Sequence, residues 1–196
     1  ESHNGLNWSV LLGVAERLDP QAMRLGFVLA VLGYGTKAGL APMHTWKPDA
    51  YAEAPLPTAT LLAAGFINCA LYAIMRFDAL AVKCLGPEFT GGLLTAFGIA
   101  SVLVAAPFVL VQRNFRRLLA YSSIDHAGIM VAGLGFGGKL GALGAALHLL
   151  FHAVAKPLLF FCAGEVQQQF QTVYLRKVRG VLRVSLPAGG LFLLGT

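Results

Sequence analysis

The sequence contains few charged residues. Asp, Glu, Lys and Arg make up 12% of its 196 residues, about half of the roughly 25% that is typical of soluble domains. Hydrophobic residues account for 57% of the chain, and they occur in runs of about 20, which is the length that crosses a bilayer as a helix. The composition therefore excludes an ordinary soluble domain and predicts a membrane protein embedded in a lipid bilayer.

Several chemical signatures are also missing. The three cysteines, Cys69, Cys84 and Cys162, form no Cys-x-x-Cys pair, so neither a disulfide framework nor a zinc site is expected. The sequence has no GxGxxG, P-loop, HExxH or GxSxG motif, and these are signatures of nucleotide binding and of common hydrolases. We therefore expect this chain to hold no cofactor and no metal.

The formal net charge of +6 does not indicate a nucleic-acid partner. The basic residues are confined to short links between apolar runs, which is the positive-inside pattern of membrane proteins. More Lys and Arg lie on one side of the predicted spans than on the other. The bias places two segments in the cytoplasm, namely the loop 44–57, with Lys47, and a turn that contains Arg116 and Arg117. These two arginines are expected to be surface anchors.

The apolar runs predict an all-α, multi-pass transmembrane helix bundle. The spans are expected at about residues 23–40, 56–75, 91–111, 118–136 and 140–166, with a further one beginning in 186–196. The first span is rich in glycine, and four prolines between Pro42 and Pro57 follow it. Proline cannot sit within an uninterrupted helix, so a discontinuous helix is predicted, of the kind tolerated where protein or a wet cavity satisfies the freed backbone. We expect residues 1–196 to be part of a longer transmembrane domain.

A column of ionisable residues within one apolar run is the most specific pattern. His148, His152 and Lys156 are four residues apart, so on a helix they lie on roughly one face. Ionisable residues inside a membrane are rare and often mark a proton or ion path. Two interpretations are open, namely a proton relay and a set of inter-helix hydrogen bonds that fix packing. A metal site is not favoured, because two histidines do not complete a site and the span offers no carboxylate before Glu165.

Five other ionisable residues are weaker candidates. Lys37, in the first span, is either a snorkelling interface residue or a protonatable switch at the helix break. Asp49 and Glu53, in the loop that follows, are candidates for a proton entrance, although most loop carboxylates are only solvated. Asp125 and His126 either face a wet interior or pair near the cytoplasmic end of their span.

Three segments together resemble the signatures of one family. They are Gly33–Trp46 with its continuation to Pro55, then Arg117–Gly128, and then His148–Lys156. In this order they resemble the antiporter-like proton-channel subunits of respiratory complex I, of multisubunit sodium/proton antiporters and of group 4 nickel–iron hydrogenases. The segment Gly33–Trp46 is most similar to the F subunits of hydrogenase 4.

The resemblance implies two inverted five-helix repeats, each with a broken helix, and a polar axis at mid-membrane. Lys37 would be the lysine of the first broken helix, and His148, His152 and Lys156 would be the central relay. The family's essential glutamate is expected upstream of residue 1, and the last lysine or glutamate of the axis is expected beyond residue 196.

The sequence departs from the family pattern at three places. Lys47 stands where the family usually has an apolar residue, and Tyr51 stands where histidine is common. The second span has Asn68 but no histidine or lysine, although family members often carry one there. These departures predict a gap between Lys37 and the central relay.

The resemblance also implies a function and a location. The chain would be a proton-translocating subunit of a redox-driven complex in a bacterial or archaeal cytoplasmic (inner) membrane, without a redox cofactor and not catalytic by itself. Its partners would be other membrane subunits and a peripheral hydrogenase or quinone-reducing module. Two alternatives are open, namely a sodium/proton antiporter subunit without a redox partner and a structural membrane anchor.

Overall fold

The computed structural model describes residues 7–178, and these residues fold into a helical bundle. The α-helices are α1 (Trp8–Val14), α2 (Pro20–Ala38), α3 (Trp46–Glu53), α4 (Leu56–Leu61), α5 (Ile67–Leu85), α6 (Pro87–Val111), α7 (Phe115–Gly135) and α8 (Gly138–Phe170). Short 3-10 helices follow α1 and α8, and an isolated bridge joins Asn114 to Tyr174. The predicted all-α class is confirmed.

Three of the described helices are long and apolar enough to cross a membrane. They are Leu56–Leu85, Pro87–Val111 and Gly138–Phe170. The first comprises α4 and α5, which are joined without interruption by a π-helical turn at Leu62–Phe66. The helices α2 and α7 correspond to two further predicted spans, 23–40 and 118–136. The predicted span at 186–196, and part of the basic link before it, lie outside the described residues.

The helix that contains the second predicted span is longer than expected. Three charged residues between the predicted spans 56–75 and 91–111 belong to α5, namely Arg76, Asp78 and Lys83. The Arg76 guanidinium lies 4.0 Å from the centre of the Trp8 ring and donates a hydrogen bond of 2.7 Å to the Tyr72 hydroxyl. Aromatic stacking of this kind shields a charge without breaking a helix, so the apolar run alone underestimated the helix.

Glycines bring α6 and α7 into backbone contact. A three-residue connection joins the two helices, which run antiparallel so that Gly91 faces Gly135 and Gly98 faces Gly128. A Cβ atom at position 98 would lie 2.5 Å from the Ala132 nitrogen and 2.7 Å from the Gly128 oxygen. Small residues at membrane helix interfaces permit this close approach, and van der Waals packing then stabilises the pair.

The helix α7 is central to the bundle, because it packs against α3, α6 and α8. One apolar cluster is formed mainly by α2, α5, α6 and α7, around residues such as Phe27, Ile74 and Met130. A second cluster joins α3, α7 and α8 around Tyr51 and Phe160. The polar side chains of α7 and α8 therefore meet between two well-packed apolar regions.

We expect Gly98→Ala to destabilise the bundle by about 1–3 kcal/mol, the usual cost of overpacking a tight contact. The added methyl group would collide with backbone atoms of α7, which cannot rotate away as a side chain can. The measurement is the apparent melting temperature of the protein in detergent. Gly92→Ala is the matched control, because a Cβ atom there meets nothing within 4 Å. Equal melting temperatures for the two variants would contradict the close approach.

Candidate functional site

The predicted discontinuous helix is present at the end of α2. Gly39, with φ +84°, ends the helix in a left-handed conformation, and its N–H donates to the carbonyls of Gly35 and Thr36. The following segment supplies further donors to this end of α2. Trp46 Nε1 donates to the Thr36 carbonyl at 2.8 Å, and Lys47 Nζ donates to the Ala38 carbonyl at 2.7 Å. Protein groups therefore satisfy backbone carbonyls that a helix break leaves without intrahelical partners.

Side chains of α6 complete this arrangement beyond the break. The Ala41 N–H donates to Ser101 Oγ at 2.9 Å, and the same hydroxyl donates to the Phe97 carbonyl at 2.7 Å. Ser101 is fully buried. The broken segment is thus attached to α6 by a buried hydrogen bond.

The last two residues of the predicted column on α8 point into the protein interior. The exposed fraction is 4% for His152 and 3% for Lys156, whereas His148 is half-buried. Lys156 Nζ donates to Ser122 Oγ of α7 at 2.7 Å. The Lys156 ammonium is therefore held by a neutral hydroxyl and not by a carboxylate in direct contact.

His126 of α7 joins the column from the facing helix. Its Nδ1 lies 3.0 Å from Nε2 of His148, a distance at which the N–H of one ring donates a hydrogen bond to the other. The His126 ring centre also lies 5.8 Å from that of His152, edge to face. His126 therefore lies between the two histidines of α8. The spacing pattern had predicted a cluster on one helix only, and the structure adds this residue from a second helix.

These side chains share one partly open cavity of about 390 Å³. Ser122, His126, His148, His152 and Lys156 all line it. The cavity has room for several water molecules, and its polar side chains lie within a wall that is otherwise apolar. Neither ring nitrogen of His152 has a hydrogen-bond partner among residues 7–178, and an unpaired polar atom in an apolar environment is costly. The cavity therefore favours hydration.

Asp125 lies beside the cluster. It is half-buried, and its Oδ1 has no hydrogen-bond partner in the described part of the chain. When ionised, it attracts a positive charge on Lys156 or on His148. It is thus an acidic side chain of α7 beside the cluster.

Lys37 is separate from this cluster. It lies in the last turn of α2, where its side chain is exposed and its ammonium is 5.8 Å from the centre of the Phe66 ring. Within residues 7–178 it does not line the cavity that contains Lys156. The structure therefore does not bring the two predicted relay lysines together.

The two loop carboxylates lie on the surface near the start of α7. Asp49 forms an exposed salt bridge of 2.6 Å with Arg117, and exposed Glu53 interacts electrostatically with Arg116. The expectation that both arginines are surface anchors is wrong for Arg116, whose exposed fraction is 6%. Its guanidinium donates to the Ala54 carbonyl at the end of α3. The reason is that α3 folds back over the first turn of α7.

Two residues near the site were not predicted. Ser122 was passed over because a serine inside a span carries no distinctive signal. Lys47 was expected in a loop, but it lies in α3 and its side chain is fully buried. The sequence did contain a signal for the burial of Lys47, because the family that the sequence resembles usually carries an apolar residue at this position.

A comparison with protein families assigns the chain to one of them. A family model described as "NADH:quinone oxidoreductase/Mrp antiporter, TM" matches residues 9–194. The chain belongs to this family. Its membership confirms the resemblance that the three sequence segments indicated.

Curated relatives extend the comparison. The chain is 41% identical over 174 residues to a hydrogenase-4 component F homolog of Methylacidiphilum infernorum, covering 89% of this chain and 37% of the relative. It is 35% identical over 157 residues to NAD(P)H-quinone oxidoreductase chain 4 of Prochlorococcus marinus, covering 80% of this chain and 29% of the relative. The chain thus spans about a third of the length of these relatives.

Solved structures share the fold. A chain of the membrane-bound sulfane sulfur reductase, an archaeal respiratory complex, matches with a TM-score of 0.86 and 27% identity over 94% of this chain and 39% of its own length. A chain of Thermus thermophilus respiratory complex I matches with a TM-score of 0.69 and 32% identity over 88% and 37%. A chain of the Dietzia Mrp complex has a TM-score of 0.79 at 17% identity, covers 99% of this chain and 39% of its own length, and shows the likeness of fold alone.

We expect Arg116→Ala to destabilise the contact between α3 and α7 by about 1.5–3 kcal/mol, because it removes a charged donor from a buried carbonyl. Arg117→Ala is the matched control. It removes an exposed ion pair, which is worth about 0–1 kcal/mol. Thermal unfolding of the parent complex in detergent measures both. A larger loss for Arg117→Ala would contradict the buried position of Arg116.

Proposed function

We propose that the chain is a proton-translocating membrane subunit of a redox-driven complex. The observation that carries this proposal is the cavity in which buried Lys156, with Ser122, meets the row of His126, His148 and His152. Protonatable groups placed in one hydrated space between packed helices are what a proton path requires. The names of the relatives, which are subunits of quinone-reducing and hydrogenase-type enzymes, support the choice of a redox-driven complex.

In the proposed path the histidines pass protons along the cavity. A neutral imidazole has one donor nitrogen and one acceptor nitrogen, so each ring can accept a proton on one side and release one on the other. The 3.0 Å contact between His126 and His148 provides one such step. Transfer to His152 and then to Lys156 would use cavity water, since His152 contacts no polar partner directly within residues 7–178.

Lys156 is the proposed point where proton occupancy changes. A buried ammonium is expensive in an apolar medium and depends on its neighbours. Asp125 favours the charged form of Lys156, whereas a positive charge arriving on a nearby histidine disfavours it. A change of charge in a partner subunit would act through this balance and make Lys156 take up or release a proton.

The remaining predicted residues have supporting roles in this proposal. Lys37 would respond to charge at the end of α2, where it lies in the last turn. Asp49 and Glu53 would attract protons at the surface beside α7. We infer that neighbouring membrane subunits and a peripheral redox module are the partners, that redox cofactors reside in that module, and that the complex lies in a prokaryotic cytoplasmic membrane.

The alternatives are less well supported. A structural anchor needs no buried lysine or histidine, and such groups cost stability. An antiporter subunit without a redox partner would share the fold, but the likeness to the Mrp chain is one of fold alone at 17% identity. The relatives above 30% identity carry the names of redox enzymes.

We expect Lys156→Met in the parent complex to keep redox turnover and to lose proton uptake into inverted membrane vesicles. A positioned proton-transfer group contributes about 10²–10⁴-fold to rate, so uptake per turnover should fall at least about tenfold. Lys139→Met is the matched control, because Lys139 is exposed in the first turn of α8.

The proposal would be refuted if Lys156→Met took up protons as the wild type does. It would also be refuted if wild-type vesicles showed redox turnover without proton uptake. Loss of assembled complex together with activity would instead favour the packing role of the Lys156–Ser122 hydrogen bond.

A further inference from the structure

Lys47 is the most unusual charged residue outside the cluster just described. Its side chain has an exposed fraction of 0%, and it is among the largest fully buried side chains of residues 7–178. It is the second residue of α3, and a positive charge at the N-terminus of a helix is unfavourable with respect to the helix dipole. Its position must therefore be stabilised by groups outside α3.

The compensating groups lie at the helix break. Lys47 Nζ donates to the Ala38 carbonyl at 2.7 Å, at the C-terminal end of α2, where the helix dipole is negative. The ammonium also lies 5.7 Å from the centre of the Tyr51 ring. Position 39 has no room for a side chain, since a Cβ atom there would lie 2.5 Å from Lys47 Cδ. The lysine is thus enclosed between α2 and α3.

Tyr51 packs between Lys47 and the α8 helix that carries Lys156. Its ring centre lies 5.4 Å from that of Phe160, which is one helical turn after Lys156 on α8. Tyr51 is fully buried, and its hydroxyl has no hydrogen-bond partner within residues 7–178. The positive charges of Lys47 and Lys156 repel each other, and the charge of Lys47 also acts on His152. A change of charge on one lysine is therefore felt at the other.

The α5 helix supplies no ionisable side chain at Asn68 that could continue the path. The α5 helix carries Asn68 in the position where an ionisable residue would continue the path, and Asn68 donates to the Ala64 carbonyl of its own helix. Within the described part of the chain, no carboxylate forms a salt bridge with Lys47. A fully buried lysine thus stands between the broken helix and the Lys156 cavity without an ionic partner.

We propose that Lys47 is a further proton-exchanging residue, which links the break of α2 to Lys156 across the gap that α5 leaves. This inference rests on the proposed function of the Lys156 cluster. When Lys156 gains a proton, repulsion favours release of a proton from Lys47 Nζ to a water molecule, which has to enter at the break of α2 because the ammonium is fully enclosed there. When Lys156 becomes neutral, Lys47 binds a proton again.

The hydrogen bond to Ala38 does not need to break in this cycle. A neutral amine still has two N–H groups and can donate to the carbonyl. The proton number is conserved, because each proton that Lys47 releases is replaced by one that it later binds. The alternative explanation is that Lys47 only caps the end of α2. It makes a different prediction about proton uptake in a variant that keeps this hydrogen bond but cannot exchange a proton.

The test uses the parent complex in inverted membrane vesicles with two variants, Lys47→Gln and Lys47→Leu. Glutamine keeps an N–H donor for the Ala38 carbonyl but cannot exchange a proton, and leucine resembles the apolar residue usual in the family. We expect both variants to keep redox turnover and to lose proton uptake per turnover by at least about tenfold. Lys139→Gln is the control at an exposed lysine.

Four outcomes decide the matter. Loss of uptake in Lys47→Gln with turnover kept supports the proposal, even if Lys47→Leu fails to assemble. Normal uptake in Lys47→Gln overturns it and assigns Lys47 to helix capping. If Lys156→Met loses uptake in the same vesicles while Lys47→Gln does not, the Lys47 inference fails and the proposed function stands. If Lys156→Met also retains uptake, both fail.

Discussion

The structure depends on keeping lysine ammonium groups inside an apolar bundle without direct ion pairs. Lys156 and Lys47 are both buried, and each donates a single hydrogen bond to a neutral oxygen, Ser122 Oγ in one case and the Ala38 carbonyl in the other. Burial of an unpaired charge is strongly unfavourable. The protonation of each lysine is therefore sensitive to changes in nearby charge. In the proposed function, that sensitivity connects the packing of this bundle to proton movement.

The helix α7 makes this arrangement possible. Its glycines allow backbone contact with α6, its first turn binds α3 through Arg116, and its inner face presents Ser122, Asp125 and His126 toward α8. The break after α2 then places Lys47 close to the same region. The site thus belongs to the junction of several helices, which explains why an apolar bundle can hold so many ionisable groups in one place.

Local sequence patterns predicted the elements but not their meeting points. Gly39 and the prolines after it indicated the broken helix, and the four-residue spacing indicated His152 and Lys156, because both signals lie within one segment. The position of His126 between His148 and His152 arises from contact between two helices, which spacing along one chain segment does not encode. The burial of Lys47 and Arg116 has the same origin, since α3 folds back on α2 and α7.

The central claim is that the cavity of about 390 Å³ between α7 and α8 is a hydrated proton path. The most direct measurement is a cryo-electron microscopy map of the parent complex at a resolution that shows ordered water. The account predicts water density within hydrogen-bond distance of the His152 ring nitrogens and of Lys156 Nζ, continuous with the His126–His148 pair. A cavity filled by an acyl chain, or closed by packed side chains without water, would contradict it.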